Sequence, residues 1–128
     1  MNENIKNIVK EWIKDAEEEL KAAKELLEKL PQKSSVHSQQ AAEKFLKAFL
    51  AYHNVEILKT HNIERLIKEC MKIDKEFQNL LKEEIVILSR YYFSRYPPQL
   101  LSVTLEEAEV AFKSALEVKE FVLKKLKL

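Results

Sequence analysis

The chain has no glycine among its 128 residues, and that absence excludes more folds than any residue present does. Glycine lets a backbone enter the left-handed region at no steric cost, so Asn-Gly hairpins and the Gly-rich phosphate loops of Walker and Rossmann folds are ruled out as a group. The apolar pattern points to helices instead. From Ile5 to Leu30 the residues Ile5, Val9, Trp12, Ala16, Leu20, Ala23, Leu27 and Leu30 recur at helical spacing, with Lys and Glu filling the other face. Pro31 ends this helix or follows its end, and Gln32-Lys33-Ser34-Ser35 reads as a short polar connection.

A second helix is expected from about Ser35 to Tyr52. Its later half, with Phe45, Leu46, Ala48, Phe49, Leu50 and Ala51, is apolar on most sides, which marks a central helix. Asn54 is a plausible left-handed stop, and Thr60 or Asn62 can cap a short third helix from about Ile63 to Lys72. Asp74 reads as the cap of a fourth helix from Lys75 to about Phe93, with Phe77, Leu80, Leu81, Ile85, Leu88 and Tyr92 facing inward. Thr104-Leu105-Glu106-Glu107 has the Thr-x-x-Glu spacing of a capping box and opens a fifth helix that continues to the end of the sequence. Together these elements predict one domain, residues 1–128, of the all-α class: an antiparallel up-and-down four-helix bundle with an additional short helix.

Charged residues make up 34% of the chain but nearly cancel, with 22 basic and 21 acidic side chains and a formal net charge of +1. No global field therefore draws in a polyanion, and any nucleic-acid contact has to be local. The acids are nearly all Glu and the bases nearly all Lys, a bias that suits long helices and resembles that of heat-adapted, thermophile proteins. The lone Cys70 falls in an apolar helical pattern, where a buried, inert thiol is expected. No run of about 18 apolar residues occurs, so the expectation is a cytoplasmic protein with no membrane contact.

His37, His53 and His61 are too scattered for a metal motif, and no metal or cofactor is expected. The runs Glu17-Glu18-Glu19 and Lys82-Glu83-Glu84 read as solvated faces. One stretch departs from the Leu, Lys and Glu background: Ser89-Arg90-Tyr91-Tyr92-Phe93-Ser94-Arg95-Tyr96-Pro97-Pro98 holds two of the three arginines and three of the four tyrosines. On one reading its aromatic rings finish the core while Arg90 and Arg95 neutralise a helix terminus. On the other, guanidinium groups and rings converge on a phosphate and a base.

Trp12 and Ala16 in the first helix, the block His37-Ser38-Gln39-Gln40-Ala41-Ala42-Glu43-Lys44, then Thr60-His61-Asn62-Ile63 and Arg95-Tyr96-Pro97 together resemble the HEPN domain family over nearly the whole chain. The resemblance implies a helical bundle that forms a homodimer and is often encoded beside a minimal nucleotidyltransferase in a toxin–antitoxin pair. Many relatives of this kind are metal-independent ribonucleases, with an Arg, four to six intervening residues and a His at the end of the fourth helix. Here Arg90 matches the first position, but Arg95 stands five residues on, and none of Arg65, Arg90 or Arg95 has a His at an allowed spacing. Arginine stays protonated and cannot act as a general base, so Arg95 can hold a phosphate but cannot replace the histidine.

The leading expectation is thus a non-catalytic module with no catalytic residues. It binds nucleotide, RNA phosphate or a minimal nucleotidyltransferase partner through Arg90, Tyr91, Arg95 and Tyr96, with His37 and His61 at positions often seen in the Arg-Tyr-Pro branch of the family. Two alternatives stay open: a ribonuclease that uses Arg90 with His37, His61 or a tyrosine from elsewhere in the fold, and a structural adaptor whose tyrosine and arginine surface binds protein.

Overall fold

The computed structural model describes residues 2–95 and 102–127, with the side chains of Ser94 and Arg95 left out of the description. Helix α1 runs over Glu3–Leu26, opened by Asn2, whose side chain accepts from the Asn4 amide at 2.7 Å. Its inward stripe is Val9, Ala16, Leu20 and Ala23. Helix α2, Pro31–Tyr52, starts at Pro31 rather than after it. Proline suits the first helical position because its missing N–H would have no partner there and its φ is already helical. The expected polar connection is therefore the first turn of α2. Ser34 is buried and donates its hydroxyl to the Ala23 carbonyl at 2.6 Å, and Ser35 donates to the Pro31 carbonyl at 2.9 Å.

Helix α2 is the hub of the fold. It packs along α1 on one side and along the last helix on the other, and fifteen of its residues are buried. It ends in a Schellman stop: Asn54 takes φ 54°, the Val55 amide donates to the Leu50 carbonyl, and the Asn54 amide donates to the Ala51 carbonyl. Asparagine serves here where most chains place glycine. Helix α3, Ile63–Met71, is capped by Asn62, which accepts from the Arg65 amide.

The limb after α3 differs from expectation. Where the sequence predicts one α-helix from Lys75 to Phe93, the chain forms a 3-10 helix at Lys75–Leu80, a short α-helix α4 at Glu83–Val86 and a second 3-10 helix at Ile87–Arg95. With three residues per turn, every third residue faces inward. Ile85, Leu88 and Tyr91 are buried at that interval, and Tyr92, which the α-helical period places in the core, is displaced to the side. Helix α5, Leu105–Lys125, opens on the expected capping box, with the Glu107 amide donating to Thr104 and the Thr104 amide donating to the Glu107 carboxylate.

The chain is all-α, an antiparallel up-and-down bundle of α1, α2, the Lys75–Arg95 limb and α5, with α3 as the additional short helix against α2 and the limb. One connected apolar cluster, centred on Phe45, Phe49 and Phe77 with Leu46, Leu66 and Ile67, draws residues from every element. Among the described residues no helix is long and apolar enough to cross a membrane.

Candidate functional site

Three polar residues stand four apart on α2: Gln39, Glu43 and Lys47. At that spacing they lie one above another on a single helix face. All three are buried. Lys47 Nζ donates to Glu43 Oε2 at 2.8 Å, and Gln39 Nε2 donates to Glu43 Oε1 at 3.0 Å. A buried ion pair costs desolvation on both partners and is tolerated only when their hydrogen-bonding capacity is met. Glu43 meets it fully, because the loop before α3 folds back and sets His61 Nδ1 3.0 and 3.2 Å from its two oxygens. The same loop is tied down by Gln39 Nε2, which also donates to the His61 carbonyl at 3.2 Å.

His61 is held from both sides. Its imidazole stacks on the Tyr92 ring, and with 44% of its side chain exposed it joins the buried Glu43–Lys47 pair to solvent. A carboxylate behind Nδ1 orients an imidazole and leaves its other nitrogen for a ligand. Around this stack lies a cavity of about 300 Å³, walled by the 59–62 loop and by Ser89, Tyr92 and Phe93. Lys59 brings a cation, Thr60 and Ser89 bring hydroxyls, and Phe93 leaves a ring 65% exposed. Ser89 also fixes the wall, since its hydroxyl accepts from the Ile63 amide at 2.7 Å and so couples the 3-10 limb to the start of α3.

His37 goes elsewhere. Its Nδ1 lies 2.6 Å from Glu19 Oε1 across the α1–α2 contact, and Lys44 bridges Glu19 and Asp15 at 2.6 and 2.7 Å. Burial pushes Glu19 up, but the hydrogen bonds and charges of His37 and Lys44 outweigh it and hold the carboxyl below its usual range. Burial likewise opposes the charge on Lys44, and Asp15 and Glu19 more than restore it, so its ammonium is held above the ordinary lysine range. Glu19 is thus a structural partner, whereas the sequence places the whole Glu17–Glu19 run on a solvated face; Glu17 too is tied, 2.9 Å from Lys119. In the Lys82–Glu84 run the side chains are exposed, as expected.

The predicted cluster at the end of the limb divides. Arg90 is exposed, with its guanidinium carbon 6.0 Å from the centre of the Tyr91 ring. Tyr91 is buried, and burial raises its hydroxyl above the usual tyrosine value. It faces a groove of about 310 Å³ between the limb and α5, away from His61. The Arg95 side chain, Tyr96 and the two prolines lie outside the described residues. The structure thus brings together His61 and Tyr92, and separately Arg90 and Tyr91, and leaves His37 with Glu19. Sequence reasoning missed Glu43, Lys47, Gln39, Lys59 and Ser89 as site residues. The available signal was the i, i+4, i+8 polar stripe running from the polar first half of α2 into its apolar later half.

Comparison with known proteins agrees with this architecture. The HEPN domain matches residues 9–126. A protein of Methanocaldococcus jannaschii named as a candidate toxin, MJ1304, is 35% identical over 135 residues, covering 93% of this chain and 88% of its own. The crystal structure of TT1696 from Thermus thermophilus superposes with a TM-score of 0.75 at 24% identity, covering 92% of this chain and 98% of that one, and so shares the fold.

Proposed function

This chain belongs to the HEPN domain family, and from that premise we propose that it is the non-catalytic, homodimeric member of a toxin–antitoxin-like pair, binding a minimal nucleotidyltransferase partner and holding nucleotide or RNA phosphate beside His61. The observation that carries the ligand half is the His61–Tyr92 stack at the wall of a cavity that also offers Lys59, two hydroxyls and the exposed Phe93 ring. A cation and hydroxyls suit phosphate oxygens, and an aromatic platform suits a base of any identity. The toxin name of the Methanocaldococcus jannaschii relative supports the pairing half.

Titration of the purified protein with ATP and with a short single-stranded RNA tests the ligand half. Lys59→Ala and His61→Ala are expected to weaken binding about tenfold each, the loss of one charge-assisted contact. Unchanged affinity in both variants overturns the cavity as the site. Light scattering tests the dimer, and a monomer at micromolar concentration overturns it.

A second reading, a ribonuclease, is favoured by one feature. With Nδ1 held by Glu43, the outer nitrogen of His61 has the arrangement of a proton-exchanging group. Incubation with tRNA in EDTA separates the two, because cleavage lost in His61→Ala selects the ribonuclease and absence of cleavage by the folded protein selects the binding module.

A further inference from the structure

The groove between the limb and α5 has an apolar floor of Ile87, Ala111, Val110 and the Tyr91 ring, and an acidic rim of Glu84, Glu106 and Glu107. We infer that it is a docking site for a cationic amphipathic segment of a partner protein, one that seats an apolar side chain on the floor and places Lys or Arg against the rim. This rests on the partner half of the proposed function and is independent of the ligand half.

Four observations carry it. Part of the floor stays accessible: Val110 is 42% exposed and Ile87 half-buried, over a base of buried Tyr91 and Ala111. An apolar floor of this size, about 310 Å³, has room for side chains rather than for a whole element, which is the shape of an anchor pocket. The rim reverses the local sign of a chain whose net charge is +1. Among the described residues neither Glu84 nor Glu106 forms an ion pair, although Lys82 senses the charge of Glu84, and the nearby cation Arg90 is shared between the Tyr91 ring and the charge of Glu107.

Placement in first helical turns explains part of the rim, since Glu84 opens α4 and Glu106 and Glu107 open α5, where carboxylates complement the helix dipole. It does not account for the apolar floor that the two first turns enclose. The carboxylates also decide the occupant. Anionic lipid and phosphate are repelled, an acidic peptide is repelled, and a basic amphipathic segment is attracted and oriented.

The test uses the full chain with two synthetic amphipathic peptides of identical leucine spacing, one with Lys and one with Glu on the polar face. The Lys peptide is expected to bind at least about tenfold more tightly, and its affinity to fall as salt is added, because rim charges act through screened attraction. Amide shifts in NMR spectra are expected to concentrate at Ile87, Tyr91, Val110 and Ala111. Val110→Ser and Glu106→Gln are expected to weaken the Lys peptide several-fold each while leaving ATP binding as in the parent and the melting temperature within about 4 °C of it. Equal binding of both peptides, shifts centred elsewhere, or unaltered affinity in both variants overturns the inference. A change in dimerisation rather than in peptide binding in those variants assigns the groove to a second copy of the chain and likewise overturns it. Loss of ATP binding with intact peptide binding in Lys59→Ala keeps the two sites distinct.

Discussion

The His61 imidazole lies nearly flat on the Tyr92 ring, the centroids 3.7 Å apart and the planes 13° from parallel, with Glu43 3.0 Å behind the histidine. A carboxylate buried in the central helix, an imidazole and a half-buried tyrosine ring thus form one connected line from the core to the cavity. The position of His61 is set by residues that never reach the surface. Gln39 holds its backbone, Glu43 its ring nitrogen, and Lys47 the charge on Glu43.

The Glu43–Lys47 pair is 5% and 8% exposed at its side chains, which makes single and double substitution behave differently. Glu43→Leu leaves the Lys47 ammonium buried without its carboxylate and is expected to cost about 3–5 kcal/mol. Adding Lys47→Leu removes the stranded charge and is expected to recover most of that loss. Urea denaturation of the two variants and the parent checks this. Equal destabilisation of single and double variants contradicts it.

Acid sensitivity is expected to run through Glu19. Its carboxyl is held below the usual range in the folded chain, so its contribution is complete above the ordinary glutamate value of about 4.3 and is lost as pH falls through the depressed folded value. At neutral pH, Glu19→Gln is expected to melt about 4 °C below the parent, equivalent to about 1 kcal/mol for a domain of this size. As pH is lowered through the carboxylate range the difference closes. Melting curves from neutral to strongly acid pH measure it, and a gap that stays constant excludes the linkage. Lys44 has the opposite sign, because its raised value makes its contribution fail only as pH rises beyond the ordinary lysine range.

Cys70 is expected to be unreactive in the folded protein. Burial, reinforced by the charge of Glu69, pushes its thiol up to about 12, and its Sγ sits 3.8 Å from the Leu46 carbonyl. Relative to a free cysteine this leaves on the order of a thousandfold less thiolate at pH 8. A thiol-reactive dye is expected to label the native chain only as fast as it opens, with the rate climbing steeply in urea. Rapid labelling without denaturant contradicts the burial.

Much of the helical framework is legible in the sequence because it depends on local rules. The α1 stripe as far as Ala23, the capping box at Thr104 and Glu107, the Asn62 and Asp74 caps and the left-handed Asn54 read correctly from spacing and residue type, whereas α1 stops at Leu26 and leaves Leu30, expected in its stripe, exposed. Pro31 misleads because one residue type marks both the end of a helix and the first position of the next. The site was less legible. His37 meets Glu19 and His61 meets Glu43, each pair 18 residues apart in sequence and joined only by tertiary packing. No local pattern encodes that meeting, and a glutamate looks the same in sequence whether it is solvated like Glu18 or enclosed like Glu43.

The limb from Ile87 to Arg95 turns in steps of about 120° per residue, whereas an α-helix turns by about 100°. Over the five steps from Ile87 to Tyr92 the difference amounts to about 100°, more than a quarter of a revolution. Wound as an α-helix, the same residues would direct Tyr92 toward the core and carry Tyr91 away from it. The pitch of one short limb therefore selects which of two adjacent tyrosines the interior receives and which is left to cover the imidazole.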